Sequence, residues 1–266
     1  MGARSASRRA AGATRFCTLL YHHVGPPGRA LPSLSLSPAT FEAQMRWLVE
    51  HGYAGLACDE VVAFYRSGKA LPRKPVLITF DDAYADIAQY ALPVVRGHGL
   101  RALVLVVTAL TGGTNAWDAA PGKPVTPLMG ADQIAAWSQQ GIEFGSHTRT
   151  HCDLGSESMR GVENEIDVSA QELARLTGTK CIAFSYPWGR YSSAALTRVR
   201  GSYSLAFTTV EGINRRDTDP HLLRRTMVQP NDSLAGFGWR VRLGRNPLLE
   251  ARGILARARN RVLGRS

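Results

Sequence analysis

The chain alternates between short, wholly apolar runs and longer stretches whose apolar residues recur every three or four positions. Residues 16–21 and 75–80 are of the first kind. Pro75-Val76-Leu77-Ile78-Thr79-Phe80 is almost continuously apolar, as expected of a strand buried on both faces. Residues 38–49 are of the second kind. Ser37-Pro38 offers an N-cap with proline at the first helical position, Phe41, Met45, Leu48 and Val49 share a face, and Gly52 stops the helix. The same reading predicts helices over 84–96, 131–140, 159–176 and 193–199. It predicts strands over 102–107, 142–145, 181–186, 205–208 and 222–228. A stretch rich in Gly, Pro and Thr at 111–128 reads as a long loop, and such loops in compact domains often carry function.

Repeated strand–helix units predict an α/β fold with a mostly parallel sheet. About seven strands in a chain of 266 residues favour a distorted (β/α) barrel over an open sheet. One domain is expected over 16–232, between basic tails at 1–15 and 233–266. No apolar run reaches the roughly 18–20 residues needed to cross a bilayer, and no secretory signal follows the basic N-terminus. The four cysteines are scattered without metal-type spacing, which suits free thiols in a reducing compartment and predicts a cytoplasmic location.

Net charge changes the picture through its placement. The chain carries +11, with four arginines in residues 1–15 and eight against Glu250 in residues 240–266, so the body between is neutral. That distribution speaks against a nucleic-acid partner for the body. Leu248, Ala251, Leu255, Ala258 and Val262 recur at helical spacing with arginines mostly on other faces. Such a helix can lie on an anionic inner membrane surface, and packing on the barrel or a partner is an equally open alternative.

The candidate chemistry sits just after the predicted strands, where parallel barrels place their active sites. Asp81-Asp82 ends the 75–80 strand. Two adjacent carboxylates repel one another unless a cation or proton relieves them, although a plain helix-opening turn would use the same residues. His147 and His151 are four apart, the spacing of a chelating pair on a helical turn, in a chain with seven histidines where chance pairs arise. Together they make a three-ligand site with positions open for water and substrate, and leave the other aspartate free to act as a base.

Asp81-Asp82 after Ile78-Thr79-Phe80, with Ser146-His147-Thr148-Arg149-Thr150-His151, resembles the polysaccharide deacetylase family (carbohydrate esterase family four, the NodB-homology domain). Tyr21-His22-His23, Tyr186-Pro187-Trp188-Gly189 and Leu222-Leu223-Arg224-Arg225 agree in order and separation, so the likeness covers about residues 16–228. It implies a divalent ion, usually zinc, on Asp82, His147 and His151, and Asp81 as general base for a metal-activated water. It implies that the backbone N–H of Trp188 helps to hold the oxyanion, and that Tyr186, Pro187, Trp188 and Arg225 meet the substrate. His22 is the favoured general acid, with His221 second.

Two features depart from the family pattern. Its arginine two residues before the proline is Ser185 here, so Arg225 or Arg224 is the candidate replacement, and the late Leu-x-His motif is missing. The implied activity is removal of an N-acetyl or N-formyl group from an amino sugar in a glycan or lipid-linked glycan. Sugar O-deacylation, or a catalytically silent carbohydrate-binding relative, is the alternative. Phosphoryl transfer is disfavoured, because no phosphate-cradling glycine-rich loop accompanies the aspartates.

Overall fold

The computed structural model describes residues 12–247 apart from 27, 29–31, 121–124 and 157. Six successive parallel strands run in chain order: β1 (Arg15–Tyr21), β2 (Pro75–Phe80), β3 (Leu103–Val106), β4 (Glu143–Ser146), β5 (Ala183–Ser185) and β6 (Leu205–Phe207). A short antiparallel strand, β7 (Ile213–Arg215), pairs with the first half of β1. The chain then passes along β6 through a parallel bridge between Phe207 and Leu223, and pairs β8 (Thr226–Met227) with Leu19 and Leu20 of β1. Residues 223–227 thus join the last strand to the first, and the curled sheet of seven parallel strands closes as the expected distorted barrel.

Strand periodicity sorts the core into two layers. Leu77, Leu103, Leu105, Ala183, Leu205, Phe207 and Leu223 pack with Val61 and Phe64 of helix α2 (Cys58–Ser67), which plugs the interior. The alternate residues Val76, Ile78, Phe80, Val104 and Phe184 pack outward beneath the surrounding helices. All six residues of β2 are buried, which is why that segment reads as an unbroken apolar run.

Helix α1 (Pro38–Glu50) starts where predicted, with the Ser37 hydroxyl accepting the Thr40 N–H at 3.1 Å. The stretch expected as one helix over 84–96 is two, α3 (Ala85–Tyr90) and α4 (Leu92–Gly97), because Pro93 in the first turn of α4 cannot continue the α3 ladder. The 159–176 helix is likewise interrupted: α5 (Met159–Glu163) and α6 (Ser169–Thr177) flank a π-helical turn at Asn164–Val168. Helix α2 was not among the predicted elements, although Asp59 and Glu60 in its first turn and left-handed Gly68 at its end mark both limits.

The described structure continues past the expected boundary at 232–233. Helix α7 (Leu234–Leu243) is docked on the barrel, with Phe237 buried edge-on against Trp47. Arg240, within the segment expected as a basic tail, is buried and paired with Asp232 at 2.5 Å and Glu211 at 3.1 Å. The amphipathic segment 248–262 lies outside the described residues. All four cysteines are free thiols, and among the described residues no helix is long and apolar enough to cross a membrane.

Candidate active site

The alternation that turns Leu77 and Thr79 inward carries on one residue past β2, where the Asp81 N–H donates to Tyr21 O at 3.0 Å. Asp81 therefore points into the barrel mouth. The chain then turns sharply, with Asp82 at φ 72° and Ala83 at φ 54°. Of the six non-glycine residues with positive φ among those described, five (Asp82, Ala83, Thr148, His151 and Trp188) lie at this rim. Each such residue costs of order 1–3 kcal/mol, and persists because its surroundings over-determine it.

His147 extends β4 in the same way, its N–H donating to Val106 O at 2.8 Å. Its ring Nδ1 lies 2.8 Å from Ser185 O, so that nitrogen carries the hydrogen and Nε2 is left as a free lone pair. Nε2 of His147 lies 3.5 Å from Asp82 Oδ1, and Nε2 of His151 lies 3.4 Å from the same oxygen. That oxygen is buried and has no hydrogen-bond partner. Donor atoms of a tetrahedral site with metal bonds of about 2.0–2.2 Å stand about 3.3–3.6 Å apart. The donor set, its spacing and its orphaned oxygen therefore fit one divalent cation on Asp82, His147 and His151, whose ligand atoms all lie within 4.8 Å of one another.

The two histidines are not on a helical turn as their spacing suggested. Residues 147–151 form a loop with Thr148 and His151 in the left-handed region. The loop is shaped from behind by the buried Glu165, which sits in the π-helical turn. Its Oε2 accepts the N–H groups of Arg149 and Thr150, both at 2.8 Å, and its Oε1 accepts the Thr150 hydroxyl at 2.8 Å. A π-turn swings a side chain out of α register, which is how Glu165 reaches two consecutive amides.

Asp81 faces the same space, 3.7 Å from His147 Nε2. Arg225 donates to both of its oxygens, Nη1 to Oδ1 at 2.6 Å and Nη2 to Oδ2 at 2.7 Å. Arg225 also donates to Thr208 O at 2.9 Å and to the Ser185 hydroxyl at 2.8 Å. Burial would raise the Asp81 pKa, but Arg225 and then His147 more than offset it, and the carboxyl stays below the usual carboxylate range. Asp82 is likewise held well below that range: burial is opposed by the close imidazoles of His151 and then His147. Burial pushes His147 down to about 4, against the pull of Asp81, so its ring is neutral and ready to ligate.

Several expectations are corrected here. Arg225 was expected to meet the substrate, but its side chain is 0% exposed and lies behind Asp81. It pairs with Asp81 next to Ser185, which stands where the family pattern has an arginine and whose hydroxyl bridges Arg225 and Asp81. Arg224 points elsewhere, toward Glu211 O. Tyr186 and Pro187 are buried as well, with the Tyr186 hydroxyl donating to His221 O, so their side chains shape the rim from beneath. Only Trp188 of that turn is exposed. Gly189 has φ 71°, and a Cβ there would meet Thr209 Oγ1 at 2.2 Å, so the turn admits no other residue.

His22 follows β1 and is half-buried at the rim. Burial lowers its pKa, while the charges of Asp82 and Asp81 raise it, which puts the ring within electrostatic reach of both. His221 is held away from the rim. Its Nε2 bonds Tyr203 O, and its neighbour Pro220 accepts the Ala206 N–H in β6, upstream of the strand's C-terminal end. Trp117, Tyr84 and Glu165 went unread in the sequence. The 111–128 stretch was marked as a functional loop, but nothing in its composition singled out the indole that stacks on His151 with ring centroids 4.4 Å apart.

Comparison with known proteins bears on this geometry. The family model for polysaccharide deacetylases matches residues 68–202. YxkH of Bacillus subtilis (strain 168), named "Putative polysaccharide deacetylase YxkH", is 29% identical over 221 residues, 83% of this chain and 74% of its own length. The poly-beta-1,6-N-acetyl-D-glucosamine N-deacetylase of Escherichia coli (strain K12) is 23% identical across 85% of this chain, which spans 38% of that longer protein. Among solved structures, the Streptococcus pyogenes deacetylase PplD in complex with acetate superposes with a TM-score of 0.75 at 27% identity, over 85% of this chain and 98% of its own. IcaB from Ammonifex degensii, at 22% identity and a TM-score of 0.73 over 88% of this chain and 98% of its own, shares the fold. The matched span covers just over half the chain and takes in the aspartate pair, the histidine loop and the Pro-Trp-Gly turn alike, and on that ground the chain belongs to the polysaccharide deacetylase family.

Proposed function

We propose that this protein hydrolyses the N-acetyl group of an amino sugar within a glycan, with Asp81 as general base, His22 as general acid and a divalent cation on Asp82, His147 and His151. The observation that carries the reading is the division of labour between neighbouring aspartates. Asp81 is locked by Arg225 with both oxygens engaged, whereas Asp82 keeps a buried oxygen without a partner between two imidazoles. One carboxylate is held ionised and oriented; the other is built as a ligand.

A divalent cation bound there supplies Lewis acidity to water and to the amide carbonyl. The chain's own groups do the rest. Asp81 accepts the proton of the attacking water, and Arg225 keeps that carboxyl ionised until it does. His22, within electrostatic reach of both carboxylates, donates a proton to the departing amine. The backbone N–H of Trp188, in a turn at φ 53°, is the oxyanion donor in this reading. A poly-N-acetylglucosamine substrate is favoured by the named activity of the E. coli relative.

The test is acetate release from β-1,6-linked N-acetylglucosamine oligomers by protein reconstituted with Zn2+, with and without chelator. Metal-dependent release, a loss of at least about 100-fold in Asp81→Asn with metal content retained, and loss of metal in Asp82→Asn would support the assignment. Undiminished release by Asp81→Asn, or no acetate from any acetylated amino sugar, would remove it.

A further inference from the structure

Five successive loops at the barrel mouth each contribute one ring, and the rings form a continuous arc. His23 stacks on Tyr84 with centroids 3.5 Å apart; Tyr84 meets Trp117 at 6.4 Å; Trp117 stacks on His151 at 4.4 Å with planes 20° apart; His151 meets Trp188 edge-on at 4.4 Å. The two histidine ligands are held by different means. His147 has the usual support of a metal-binding imidazole, its Nδ1–H donating to a backbone carbonyl. His151 has no such support, since its buried Nδ1 lacks any hydrogen-bond partner. Its backbone is also in the left-handed region, at φ 62°.

We infer that Trp117 is the positioning residue for His151: its indole face, with Trp188 meeting the ring edge-on, fixes the imidazole plane that a hydrogen bond fixes at His147. This rests on the reading of Asp82, His147 and His151 as a metal site. Trp117 is placed for the task. It lies in a short 3-10 turn, Ala116–Asp118, whose preceding residue, Asn115, donates its N–H to Thr126 O at 3.1 Å and accepts the Thr126 N–H on its side chain at 2.7 Å. The paired bridge between Thr114 and Pro127 ties the loop base, so the indole sits on a braced support. The ring also covers one face of His151. The long loop is thus part of the metal-site architecture and acts through a ligand it never bonds.

The experiment titrates the metal-free full-length protein with Co2+ alone, following visible absorption and competition with a chromophoric chelator. Wild type, Trp117→Phe, Trp117→Leu, Trp117→Ala and Asp82→Asn are compared. Expected is a loss of about tenfold in Co2+ affinity for Ala and Leu, within the 10–100-fold range typical of groups that orient metal ligands, with Phe within about threefold of wild type. Thermal melts of the metal-free proteins separate a local effect from a folding defect; should Ala melt early, the contrast between Leu and Phe decides. Wild-type affinity in Trp117→Ala, or Leu equal to Phe, would overturn the inference. A wild type that binds Co2+ no better than Asp82→Asn would instead overturn the metal-site reading beneath it.

Discussion

Replacing Arg225 by methionine removes the one guanidinium bound to Asp81 and fills most of its volume. Both partners are essentially sealed from solvent, at 0% and 4% side-chain exposure, so solvent screening does little to soften the loss. Breaking a buried pair from one side costs about 3–5 kcal/mol, because the remaining charge stays buried and uncompensated. At roughly 2–4 °C per kcal/mol for a chain of this size, the melting temperature falls by about 6–20 °C. The pH dependence carries a sharper signature. In the wild type the Asp81 pKa is below its unfolded value, so its stabilisation is full above about pH 4 and is lost as pH falls through the folded value. Without Arg225, burial dominates and the folded pKa rises above the unfolded one. The variant then loses stability as pH rises through that new value, and its deficit is larger at pH 8 than at pH 4.5. The assay is urea denaturation of both proteins at those two pH values with chelator present, so that no cation masks the carboxylates. Asp81→Asn combined with Arg225→Met removes the buried charge altogether and recovers part of the deficit, a coupling that the double-mutant cycle reads directly. A deficit under 1 kcal/mol, or one independent of pH, would refute the reasoning.

Glu165→Ala removes the carboxylate that accepts Arg149 N–H, Thr150 N–H and the Thr150 hydroxyl. At about 1.5–3 kcal/mol for each hydrogen bond to a charged group, partly regained by water, a net loss of about 2–4 kcal/mol by urea denaturation is expected, together with weaker metal binding. A change under 0.5 kcal/mol would show that the loop holds itself. His22→Gln is expected to lower kcat by about 100-fold or more while leaving metal content and stability near wild type, whereas His221→Gln leaves kcat unchanged. Equal activity of the two variants in an acetate-release assay would reject His22 as the proton donor.

Much of the site was legible because each part is local. Asp81-Asp82, His147 and His151 stand at the ends of apolar strands, and any parallel closure of those strands brings them to one rim. The chelating pair was recognised for a reason the fold does not use: the histidines converge from a strained loop held by Glu165, a partner that a four-residue spacing cannot announce. Ser185 marked a missing arginine, but which of Arg224 and Arg225 replaces it depends on which side chain the closing segment turns inward.

The residue pattern alone determined the strand–helix alternation, the family, and the identity of the carboxylates and imidazoles, since these follow from local periodicity and from motifs contiguous in the chain. Tertiary structure alone decided how those groups are held. The pairing of residues 223–227 between the last strand and the first turns Arg225 in beneath Asp81 and leaves His221 away from the rim. It also decided that Trp117, on a loop over thirty residues from His151, lies flat on its ring. Register and ring orientation arise from contacts distant in sequence, and no single stretch of the chain encodes them.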